Sequence, residues 1–166
     1  MKYTSAEAAK LLRKLNEEHD ALLQREEQAK SFLASVGEEV ESVRPAYDYE
    51  ATQQRLAELE EDIRTVKHAI NVFNATHTVE GFDLTIDQML VYIPQLTRLK
   101  AKLAEMAACL PKTREAAYGA GVIDYRYANY DVDRAAADHA QVSDLLAEAQ
   151  TALDAANSKE TMEIDL

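Results

Sequence analysis

Four histidines, His19, His68, His77 and His139, are the residues best suited to hold a metal or move a proton near neutral pH. A helical carboxylate–histidine metal site carries Glu-x-x-His on its helices, because ligands three residues apart project from one face. Here the residues three before each histidine are Asn16, Thr65, Asn74 and Ala136, none of them acidic. The run Glu17, Glu18, His19, Asp20 is dense, but consecutive residues fan around a helix, so a solvated face is expected of it. Cys109 is the single cysteine and sits in an apolar helical pattern, which predicts packing and excludes an internal disulfide. Gly119, Ala120 and Gly121 lack the third glycine and the Lys-Ser pair that cradle a phosphate. These patterns predict no catalytic residue, no metal ligand and no cofactor site.

The most unusual composition lies in Tyr125, Arg126, Tyr127, Asn129 and Tyr130. Tyrosine packs an apolar ring while its hydroxyl meets water or a partner, and arginine with tyrosine is the chemistry of interface anchors. With His77 and Phe82 from an earlier loop, these residues form a candidate partner patch. The competing expectation is a short sheet whose tyrosines cover helix ends.

The elements that position these residues read as helices. Only four Gly and three Pro interrupt 166 residues rich in Ala, Leu, Glu and Gln, which favours helix over sheet. Thr4 with Glu7, and Thr85 with Gln88, are capping boxes that open helices. The expected helices cover about 5–36, 51–74, 86–116 and 133–157, the third carrying Pro94 in its interior. In the second, Leu56, Leu59, Ile63, Val66, Ile70 and Phe73 alternate steps of three and four, the period of a coiled-coil seam. Gly37 and Pro45 place a connection over 37–49, and Gly81 a hairpin-like turn with positive φ. Strands are expected at about 78–83, 122–127 and 161–166, with the middle one pairing to either of the others.

A formal net charge of -12 disfavours nucleic acid, whose affinity is built from Lys and Arg that displace counterions, and it repels anionic membrane surfaces. The first fifteen residues carry Lys2, Glu7, Lys10, Arg13 and Lys14 and no apolar export core, and no apolar run is long enough to span a bilayer. A cytoplasmic location is expected.

The sum is a mainly α fold in one domain, 1–166: long antiparallel helical hairpins forming a four-helix bundle-like domain with a small β element near the loops and C-terminus. Three stretches resemble a family of small helical bacterial proteins of unknown function labelled septicolysin-like. They are INVFN at 70–74 with GFDLT at 81–85, DQML at 87–90 with the 96–103 helix, and QTALD at 150–154. The resemblance implies a helical hairpin fold and self-assembly; its label hints at a cytolysin, an activity that the absent export signal and apolar segment argue against. The function expected is that of a non-enzymatic interaction and assembly protein, a homo-oligomer closed through the Leu56 to Phe73 seam and meeting an unknown protein partner, with no nucleic acid and no membrane. The alternatives are a small-ligand or metal-binding enzyme with its site between helices, and a membrane-acting amphipathic bundle.

Overall fold

A computed structural model describes residues 1–115 and 123–166 of the chain. The described residues are mainly helical. In order they form β1 (Lys2–Thr4), α1 (Ser5–Ala29), α2 (Val40–Val43), α3 (Tyr49–Thr76), β2 (Thr78–Val79), β3 (Leu84–Thr85), α4 (Ile86–Ala107), β4 (Lys112–Arg114), β5 (Tyr125–Tyr127), α5 (Val132–Lys159) and β6 (Thr161–Glu163). The strands pair antiparallel as β1 with β6, β2 with β3, and β4 with β5. Expected as one domain, the chain divides into two compact units, Met1–Asn74 with Asn157–Leu166, and Ala75–Ala156.

In the first unit Thr4 caps α1. The Glu7 amide donates to Thr4 Oγ1 at 3.2 Å, and the Thr4 amide donates to Glu7 Oε2 at 2.8 Å, so two orphan donors are satisfied reciprocally. Side chains late in α1 meet residues early in α3: Gln53 donates to Glu26 at 2.6 Å, and Arg55 to Glu18 at 2.5 Å. That order makes the two helices antiparallel. Buried apolar residues of this unit are Ala8, Leu15, Leu56, Leu59, Val66, Phe73, Met162 and Ile164.

The expected oligomer seam lies along α3. Leu56, Leu59, Val66 and Phe73 are buried within one chain, and Ile63 and Ile70 are half-buried, so most of the heptad stripe is core. A correction concerns α1, which ends at Ala29 and not at 36. Beyond it Leu33 and Val36 are fully exposed, and without a surface to pack on, the last expected turns lack the burial that holds a helix together. Gly37 does take positive φ, 90°, but it serves a turn in which the Glu38 amide donates to the Ser35 carbonyl at 3.0 Å.

In the second unit the β2–β3 hairpin turns through Gly81 at φ 86° and Asp83 at φ 49° and leads straight into α4. Thr85 caps α4 as expected, accepting from the Gln88 amide at 3.3 Å while its own amide donates to Gln88 Oε1 at 2.9 Å. The helix continues through Pro94 and ends at Ala107, nine residues short of 116, because Pro111 cannot extend it and the chain turns into β4. The strand expected at 122–127 is observed as Tyr125–Tyr127, with Val122 outside the described residues. Its partner is neither of the two expected but β4, a segment assigned to helix from its sequence. The C-terminal strand pairs instead with Lys2–Thr4. Buried residues here are Val79, Ile86, Met89, Leu96, Ala135, Leu146, Ala149 and Leu153. Among the described residues no helix is long and apolar enough to cross a membrane.

Candidate functional site

The candidate site is built at the C-terminal end of α4. A helix leaves its last carbonyls without intrahelical donors, and two side chains supply them here. Cys109 donates its thiol to the Glu105 carbonyl at 3.4 Å, and Tyr130 its hydroxyl to the Met106 carbonyl at 2.8 Å. The neighbouring Cys109 thiol, and to a smaller extent burial, push the Tyr130 phenol above the usual tyrosine range.

From this anchor the chain runs into the β4–β5 ribbon. Lys112 pairs with Tyr127, Thr113 with Arg126, and Arg114 with Tyr125, and the Glu115 amide extends the ladder to the Asp124 carbonyl at 2.9 Å. Residues opposed across an antiparallel pair point to the same side, and successive residues to opposite sides, so the ribbon has two distinct faces. One carries Lys112, Arg114, Tyr125 and Tyr127. The Lys112 ammonium lies over both rings, 4.1 Å from the centroid of Tyr125 and 5.4 Å from that of Tyr127. The rings stay accessible, 45% exposed for Tyr125 and 62% for Tyr127. Thr113 and Arg126 lie on the other face, where Arg126 donates Nε to Glu115, an ion pair that raises the guanidinium further above its ordinary value. The ribbon ends at Asp131, whose carboxylate accepts from the Arg134 amide at 3.0 Å and caps α5.

The expected partner patch is therefore divided. Tyr125, Arg126, Tyr127, Asn129 and Tyr130 are gathered at the ribbon, but on two faces of it. His77 and Phe82 belong to the β2–β3 hairpin at the opposite end of α4, a helix of 22 residues and hence about 33 Å long. Phe82 lines a separate open groove of about 600 Å³ with Gly81, Leu145, Thr151 and Ala152. Lys112 was expected within the 86–116 helix and not in this cluster, and the three polar residues Lys112, Thr113 and Arg114 carry no strand period.

The remaining histidines sit elsewhere. His19 is not on a solvated face; its ring lies 3.6 Å from both Asp20 and Glu60, bridging α1 and α3 beside the Glu18–Arg55 pair. Among the described residues, no group of three or more His, Cys, Asp or Glu is placed to hold a metal.

No protein-family model matches the chain, and no curated protein does. The chain is similar in fold to a crystal structure of a functionally unknown conserved protein from Corynebacterium diphtheriae. At 14% identity, with a TM-score of 0.59, the match covers 98% of this chain and 100% of that one. The similarity is one of fold.

Proposed function

We propose that the chain is a non-enzymatic interaction and assembly protein that self-associates through the lysine–tyrosine face of the β4–β5 ribbon. The observation that carries this reading is the cluster of Lys112, Arg114, Tyr125 and Tyr127 on one exposed face, arginine and tyrosine being residue types that anchor interfaces. A second copy is the partner favoured by charge. Between residues 98 and 126, six cations stand against three carboxylates, a local +3 that leaves -15 on the rest of a chain of net charge -12. At physiological ionic strength the screening length is about 8 Å, so local patches outweigh the repulsion between whole molecules. Glu58, Glu60 and Glu61 on α3 are exposed and offer a complementary acidic surface. The septicolysin-like resemblance supports the self-assembly in this reading; cytolysis is not part of it.

Native mass spectrometry of untagged protein tests it. A subunit multiple at low salt should fall to monomer at high salt, and Lys112→Glu with Arg114→Glu should be monomeric throughout. A wild-type chain that stays monomeric at micromolar concentration in low salt would overturn the proposal.

A further inference from the structure

We infer that the opposite face of the ribbon is a binding site for a small organic carboxylate with an apolar body. A cleft of about 410 Å³ opens there and reaches round to Tyr127, with Leu110, Thr113, Arg126, Asn129 and Tyr130 among the rest of its lining. Its floor is already satisfied, since Cys109 and Tyr130 donate to the last-turn carbonyls of α4. Its rim is not. Arg126 spends Nε on Glu115 and keeps both Nη groups, while the Thr113 hydroxyl and the Asn129 amide have no partner among the described residues. All three side chains can donate. Donors that line an apolar-walled cleft call for an acceptor, and the planar guanidinium fork matches a carboxylate bidentately.

The lining also selects the ligand's body and charge. Leu110 and the Tyr130 ring are walls for an apolar group, and the face carries one guanidinium and no lysine, so a singly charged anion fits better than a phosphate. The cavity is near the small end of the range for ligand sites, which limits the ligand to about the size of a single ring with its substituent. The site shares Tyr127 with the self-association face, but its donors Thr113 and Arg126 lie on the other side of the two strands.

Benzoate titrated into the full chain, followed by 1H–15N NMR, tests the assignment, with benzyl alcohol as the neutral counterpart. Benzoate should shift the Thr113 amide and the Asn129 side-chain amide saturably, and should slow alkylation of the exposed Cys109 by iodoacetamide. Arg126→Gln should weaken binding about tenfold or more, the scale of one lost charged hydrogen bond. Arg114→Ala, on the opposite face, should leave it unchanged. Should Arg126→Gln loosen the ribbon, Asn129→Ala carries the test, since Asn129 holds no described neighbour in place. Equal binding of benzyl alcohol, loss of benzoate binding in Arg114→Ala, or full binding by both Asn129→Ala and Arg126→Lys would overturn the inference.

Discussion

The ammonium nitrogen of Lys112 stands 4.1 Å above the ring of Tyr125, so a cation from β4 is shared with an aromatic from β5 across their strand pair. An isolated two-stranded ribbon is marginal in water, and this contact ties the two strands together on the side away from the cleft. Lys112→Ala should therefore loosen the ribbon without touching the core. Hydrogen exchange at the Glu115 and Ala128 amides should quicken several-fold, while global stability moves by no more than about 0.5 kcal/mol, the usual scale for a surface change. A global loss above about 1 kcal/mol in denaturant would show the ribbon to be part of a cooperative core.

Leu59 and Leu33 are the same residue type in opposite environments, one wholly buried and the other wholly exposed. Leu59→Ala should cost about 2 to 5 kcal/mol through lost burial and the cavity left behind. Leu33→Ala should cost close to nothing. Urea unfolding of the two variants checks this, and comparable losses would contradict the assignment of the Leu56 to Phe73 stripe to the interior.

Thr4 and Thr85 each hold a helix start by accepting from the third residue of the helix. Replacing either by alanine removes that acceptor and should cost about 1 kcal/mol. Serine at either position should restore most of the loss. If Thr85→Ala and Thr85→Ser melt at the same temperature, the hydroxyl is not what holds the start of α4.

Arg55 donates to Glu18 and thereby holds its carboxyl below the ordinary value of 4.5; Thr4 does the same for Glu7 through its backbone amide. Because the folded value is the lower one, protonation favours the unfolded chain. The stabilisation is complete above about pH 4.5 and fades as pH falls through the lower folded value. Glu18→Gln should flatten the acid limb of the stability profile and leave its alkaline side unchanged. An unaltered acid limb would mean that Arg55 does not distinguish the charged form of Glu18.

Much of the helical skeleton was legible because its signals are local. Both capping boxes depend on residues three apart, and α3, α4 and α5 begin within about two residues of where caps and periodicity place them. The misreadings arose where tertiary context decides. A heptad stripe looks the same whether its cover comes from another subunit or from the same chain, and only burial assigns Leu59 to the interior. The strand at Tyr125 announced itself by alternation, but its neighbour Lys112–Arg114 is three residues long and follows an apolar helix, too short to register as a period. His77 and Tyr127 each looked like interface residues, yet nothing in their spacing revealed that α4 would separate them.

The pairing of Lys2–Thr4 with Thr161–Glu163 joins segments almost the whole chain apart. Everything from 75 to 156 is, in effect, an insertion carried between the two parts of the first unit. During synthesis the inserted unit has all its residues available as one continuous stretch. The first unit cannot close its β1–β6 sheet until residues 161–163 have followed the whole of 75–156, and closure carries the entropy of bringing segments distant in sequence together. Lys2–Thr4 thus waits for its partner while the inserted unit is made, and Met162 and Ile164 arrive to complete a core that α1 and α3 began.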